Sequence, residues 1–137
     1  MSVSICIPTF NRPKNLINCL NSLAVQTNFD FEVCISDNCS DQDIEKLIEP
    51  FKKKLNIKFN KNKKNLGAAL NFLKAASLAE KDFIWFIGDD DLLVPNAIES
   101  LLQLINKNPE CDFFWVNSYH LDAKYLDKFE TPFDTMN

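Results

Sequence analysis

Phe83-Ile84-Trp85-Phe86-Ile87-Gly88-Asp89-Asp90-Asp91 is a hydrophobic run that ends in a glycine and three consecutive acids. The apolar part reads as a buried strand. The acids then fall at its C-terminal tip, where open α/β sheets place their ligands. Three adjacent carboxylates repel one another, a cost that a cation offsets. A hard divalent ion is one candidate, since Mg²⁺ is commonly held by one or two carboxylates together with substrate phosphates. A solvated acidic turn, with an Asp capping the next helix, is the other reading of the same residues.

Outward from this run, strands and helices alternate. Residues 3–8 form a short β-rich apolar run, and Asn11-Arg12-Pro13 breaks it, with Pro13 suited to the first turn of a helix. Leu16, Ile17, Leu20, Leu23 and Ala24 recur at helical spacing and predict a helix over about residues 14–26. Residues 31–36 read as a second strand. Asp37 to Asp41 is a polar turn in which Ser40 or Asp41 can cap a helix marked by Ile44, Leu47, Ile48 and Phe51. Residues 57–59 make a short third strand. A third helix carries Leu70, Leu73, Ala76 and Leu78. Residues 83–87 are the fourth strand. Pro95 opens a helix bearing Ile98, Leu101, Leu102 and Ile105, and Asn108-Pro109 stops it. Residues 113–116 read as a fifth strand, and from about residue 122 the pattern decays into an irregular tail.

This alternation predicts an α/β protein with a mainly parallel sheet and helices on both faces. Right-handed crossovers allow strands one to three to wind outward and strand four to return beside strand one. The strand order is then 3-2-1-4. The tips carrying Thr9 to Arg12, Asp37-Asn38 and Gly88 to Asp91 converge on one edge. The chain has only two glycines, Gly67 and Gly88, and both lie in these loops. Glycine lets backbone approach a ligand closely, although an ordinary turn also accounts for either one.

Composition bounds the function. The 137 residues suit one domain, and 46% hydrophobic content provides for a core. A net charge of −4 argues against a general nucleic-acid binder, because phosphate backbones select basic surfaces. Lys61, Lys63 and Lys64 form a local basic loop. Five cysteines without a C-x-x-C pair do not suggest a disulfide framework and fit a reducing, cytoplasmic setting. The first residues lack the basic and apolar regions of a signal peptide. No apolar run approaches the roughly 20 residues that span a bilayer.

Several motifs together resemble family 2 glycosyltransferases of the GT-A fold. Ser4-Ile5-Cys6-Ile7-Pro8-Thr9-Phe10-Asn11-Arg12 is similar to the family's opening strand. Leu23-Ala24-Val25-Gln26-Thr27, followed by Phe31 to Asp41, resembles its "S-L-x-x-Q-T … E-I-I-V-x-D-x-S-x-D". Asn65-Leu66-Gly67 with Asn71 resembles "N-x-G-x-x-x-x-x-N". Phe86 to Asp91 with Pro95 stands where the family has "F-L-D-x-D-D-x-x-x-P". These motifs run in the family's order across residues 3–105.

The resemblance implies a three-layer, Rossmann-like GT-A fold. It divides the chain into a donor-binding domain over residues 1–121 and an irregular tail over 122–137 that leads to an acceptor-side region. It implies sugar transfer, with inversion, from a nucleoside-diphosphate sugar to a hydroxyl of a glycan or lipid-linked acceptor in bacterial polysaccharide synthesis. The protein would be cytoplasmic or peripheral at the inner membrane. A divalent cation, Mn²⁺ or Mg²⁺, would stabilise the leaving diphosphate.

Carried over residue by residue, Thr9 and Asp37 contact the nucleoside, and Asn65, Gly67 and Asp89 border the donor. An Asx turn is the plain alternative for Asp37. Arg12 can pair with phosphate through its fork or simply start a helix at the surface. The metal falls to Asp90 and Asp91, although Gly88 stands where the family often has Asp. That departure leaves the ligand open by one residue. No general base matches a family motif; Asp122, Asp127, Glu130 and Asp134 are the acids of the tail.

Two other functions compete. A sugar-1-phosphate nucleotidyltransferase would carry a glycine-rich, Arg-containing loop after strand one, where this chain has Pro8-Thr9-Phe10-Asn11-Arg12. A nucleotide-sugar-binding fragment without turnover would show the donor motifs alone.

Overall fold

The computed structural model describes residues 1–118. The elements run β1 (Val3–Thr9), α1 (Pro13–Ala24), β2 (Phe31–Asp37), α2 (Ile44–Ile48), a 3-10 turn (Glu49–Lys53), β3 (Ile57–Lys61), α3 (Ala68–Ala76), β4 (Phe83–Phe86) and α4 (Ala97–Lys107). The four strands form one parallel sheet of order β3-β2-β1-β4, as the alternation predicts. The register aligns Thr9 with Asp37 and Asp37 with Lys61, so the strand tips stand in one row.

One face of the sheet holds most of the core. Val3, Ile5 and Ile7 of β1 and Phe31, Val33 and Ile35 of β2 point to it. Leu16, Leu20 and Leu23 of α1, Ile44 and Ile48 of α2, and Ile98, Leu102 and Ile105 of α4 cover them. Each of these branched side chains, fully buried, stabilises the fold by about 1.5–3 kcal/mol relative to exposure. Period two in the strands and three to four in the helices bring these sets face to face.

The other face is polar. It presents Ser4, Cys6, Glu32, Cys34 and Ser36, all buried, and α3 lies over it. The leucines that mark this helix in the sequence do not face the sheet. Asn71 and Ala75 are its buried residues, while Leu70 and Leu73 are 52% and 64% exposed. Ala75 allows close approach to Cys6 and Cys34, and Asn71 hydrogen-bonds to Ser36.

Three boundaries also differ. Pro50 ends α2 after five residues and opens the 3-10 turn. Its cap is Asp43, whose carboxylate accepts from the Lys46 N–H, rather than Ser40 or Asp41. Residues 113–116 form no strand. Phe114 packs edge-on against Phe83 with ring centroids 5.7 Å apart, while Phe113 and Trp115 stay exposed. Apolar alternation is present there, but no ladder partner is among the described residues. The four acids proposed for the tail lie outside the described residues.

Candidate donor-binding site

The site is assembled from loops at the C-terminal ends of β1, β2, β3 and β4. Thr9 ends β1 and is buried, and its hydroxyl donates to Asp89 Oδ2 at 2.8 Å. Asp89 follows β4 and is itself 5% exposed. Its other oxygen, Oδ1, lies 3.4 Å from Arg12 Nη1. The same nitrogen lies 3.3 Å from Asp90 Oδ2, so Arg12 bridges two of the three acids. Asp91 instead engages the backbone: its Oδ2 accepts the Gly88 N–H at 2.6 Å. Arg12 thus links Asp90 to Asp89.

Burial raises the Asp89 carboxyl above its ordinary range. The Thr9 hydrogen bond and the Arg12 charge work against that rise, and Asp90 adds repulsion. Beneath the acids, Cys19 Sγ lies 3.8 Å from the Gly88 carbonyl. Burial and the charges of Asp91, Asp89 and Asp90 push its thiol up to about 12, so it stays neutral.

Asp37 ends β2 and is fully buried. Its Oδ1 accepts the Ser40 N–H at 3.0 Å, which is the expected turn contact. Its Oδ2 has no hydrogen-bond partner among the described residues. The nearest charge is Lys61 Nζ at 3.8 Å, too far for a hydrogen bond. A fully buried carboxylate oxygen without a donor is costly and calls for an explanation.

The loops are tied to one another. Asn11 N–H donates to Ser40 Oγ at 2.8 Å, and Asp41 N–H donates to Asn11 Oδ1 at 2.9 Å. Asn11 and Cys39 hold positive φ, 53° and 70°, in these two loops. Cysteine seldom adopts that conformation, and such strain gathers at functional sites. On the other flank, Asn65 Oδ1 accepts from Asn38 Nδ2 and from the Gly67 N–H, each at 2.8 Å. Gly67 (φ 81°) caps α3, a conformation that suits glycine.

Sequence reasoning underrated two groups. Asn71, quoted only within a motif, is buried. It donates to the Ser36 carbonyl at 3.0 Å and accepts from Ser36 Oγ at 2.8 Å and Asn62 Nδ2 at 2.9 Å. Gln26, quoted only as part of a motif, is buried at the end of α1. It donates to the Val94 carbonyl at 2.9 Å and accepts from the Ile98 N–H at 3.3 Å, which fastens the segment after the acids. An asparagine run near strand tips was the available signal for the first group; the second had none beyond the motif.

Comparison with known proteins establishes the family and the fold. The sequence model of glycosyl transferase family 2 matches residues 4–134, and the chain belongs to that family. Abequosyltransferase RfbV of Salmonella typhimurium is 38% identical across 82% of this chain and 36% of its own length. The structure of TarS from Staphylococcus aureus in complex with UDP-GlcNAc superposes with a TM-score of 0.73 at 29% identity. That match covers 80% of this chain and 32% of the other. A mannosyltransferase from Pyrobaculum calidifontis, in complex with GDP-Man and Mn²⁺, shares the fold with a TM-score of 0.65 at 17% identity, over 77% of this chain and 32% of that one. The chain spans about a third of the length of the curated relatives it matches first. No helix among the described residues is long and apolar enough to cross a membrane.

Proposed function

We propose that this chain forms the donor-binding part of an inverting glycosyltransferase that moves a sugar from a nucleoside diphosphate to a glycan or lipid-linked hydroxyl in bacterial glycan synthesis. The observation that carries this reading is Asp37 Oδ2, buried in the row of strand tips with no hydrogen-bond donor among the described residues. A base N–H would supply the missing donor. Thr9 and Asp89 stand beside it in the same row, and Asn65 and Gly67 shape the flank where the nucleoside would lie.

The acids fit a divalent cation that draws part of its coordination from the donor. Asp89 Oδ1 and Asp90 Oδ2 already converge on one cationic nitrogen. No group of three His, Cys, Asp or Glu side chains gathers among the described residues, and substrate phosphates commonly complete the shell of such an ion. When bound, the ion neutralises charge developing on the leaving diphosphate. Arg12 would add a guanidinium to the same phosphates. We assign no general base.

Calorimetry with UDP and GDP, with Mn²⁺ and in EDTA, tests the reading. Binding that strengthens with Mn²⁺ and falls by about 10–100-fold in Asp37→Asn is expected, since an amide NH₂ facing a base N–H leaves both unpaired. Equal affinity with and without metal would remove the cation from the account. Undiminished binding by Asp37→Asn would remove Asp37. A full chain that binds donor but neither hydrolyses nor transfers sugar would be a binding fragment.

A further inference from the structure

We propose that Arg12 is the resident counter-ion of the Asp89–Asp90 pair. It yields that place to a divalent cation once a diphosphate draws its guanidinium away, so that nucleotide binds before metal. This rests on the donor-site reading above.

The geometry supports an exchange of cations. Asp89 has one oxygen free of Thr9, and Arg12 Nη1 occupies it at 3.4 Å. Asp90 offers Oδ2 to the same nitrogen at 3.3 Å. Both distances exceed the 2.7–2.9 Å of a strong charge-assisted bond, so the bridge is loose. Arg12 is more than half exposed, precedes α1 without a side-chain cap, and makes no other side-chain hydrogen bond among the described residues. Its stem is free to swing.

A metal ion arriving alone meets an unfavourable site. The point where the two carboxylates converge already carries a positive charge. Asp91 does not join them, because its carboxylate holds the Gly88 N–H. A diphosphate changes both conditions. It offers the guanidinium a bidentate anionic partner, and it brings phosphate oxygens that complete the shell of a hard cation. Asp37 Oδ2 in the same row, with no hydrogen-bond donor among the described residues, is an independent sign that a ligand belongs there.

Electron paramagnetic resonance of Mn²⁺ reads the ion directly, without turnover. The 137-residue chain is titrated with Mn²⁺ as wild type, Arg12→Met and Arg12→Lys, each with and without UDP, with circular dichroism as a check on folding. Without UDP, Arg12→Met is expected to bind Mn²⁺ about tenfold more tightly than wild type, because a unit charge beside the ion is removed. Arg12→Lys should resemble wild type. With UDP, wild type should gain Mn²⁺ affinity and Arg12→Met should gain less. Equal or weaker Mn²⁺ binding by Arg12→Met without nucleotide overturns the proposal, as does no Mn²⁺ binding by either protein. If UDP binds to none of them while the comparison without nucleotide holds, the donor-site reading fails and the counter-ion role stands.

Discussion

Thr9 and Asp89 lie 80 residues apart in sequence, yet the hydroxyl of one donates to the carboxylate of the other at 2.8 Å, with both side chains buried. The bond fixes one oxygen of Asp89 and leaves the other facing Arg12. It also holds a carboxylate where water reaches it poorly.

That burial has a measurable sign. Burial raises the Asp89 carboxyl above its ordinary value. A raised folded value means that the stabilising contribution of the protonated form is complete below the unfolded value, near pH 3.8, and is lost as pH rises through the folded one. Asp89→Asn is neutral throughout and can still accept from Thr9. Its Tm at pH 7 is expected to exceed wild type by roughly 2–4 °C, with the advantage fading towards pH 3. Metal-dependent nucleotide binding should fall in the same variant. A lower Tm at pH 7 would show that the Arg12 pairing outweighs desolvation.

Glu32 behaves in the opposite sense. It is buried on the polar face, which pushes its carboxyl up, but Ser4 Oγ, the Glu80 N–H and Lys58 Nζ together pull it below its ordinary value. A depressed carboxylate contributes stability above the unfolded value, near pH 4.5, and loses it as pH falls through the folded value. Glu32→Gln should therefore cost about 1–3 kcal/mol at pH 7 by urea denaturation, since it removes the charge that accepts from Ser4 Oγ and the Glu80 N–H, while Lys58 keeps Glu80 at 2.7 Å. The gap from wild type should narrow below pH 4. A difference that stays constant down to pH 3 would place the cost in shape rather than charge.

Gly88 marks where this chain departs from the family's usual aspartate. A Cβ at that position would lie 2.6 Å from Asp90 Oδ1 and 3.2 Å from Asp91 Oδ2. The nearer atom ends an exposed side chain, so the backbone can stay while Asp90 moves. Gly88→Ala should keep its Tm within about 2 °C of wild type. Its UDP affinity in the presence of Mn²⁺ should drop at least about threefold, because Asp90 no longer shares a point with Asp89. Unchanged affinity would show that Asp90 does not hold the ion.

The sheet order and the row of tips were legible because patterns of period two and period 3.6 alternate cleanly, and crossovers have one hand. The α3 face was not. Helical spacing of Leu70 and Leu73 defines a stripe but not its direction, and the polar floor of Ser36 selected Asn71 instead. The pairing of Arg12 with Asp89 and Asp90 was equally hidden, since it joins loops nearly 80 residues apart. The pattern placed Thr9 and Asp37 at strand tips, which the structure shares, while their roles toward a nucleoside came from the family resemblance alone. The segment around Phe114 shows the limit: alternation marks an extended chain, while a strand also needs a neighbour.

The sheet has two unequal rims. On β3, Lys58 and Lys61 place charge at the boundary, a common guard against unwanted pairing. On β4, Phe83-Ile84-Trp85-Phe86 carries none, and Ile84 and Phe86 are 46% and 45% exposed. Among the described residues, nothing pairs with the outer side of that strand. The rim that delivers the acids to the cleft is thus also the sticky one. A strand or surface laid against that rim would extend the sheet beside the very loop that leads to Asp89, so whatever covers β4 would also steady the acids.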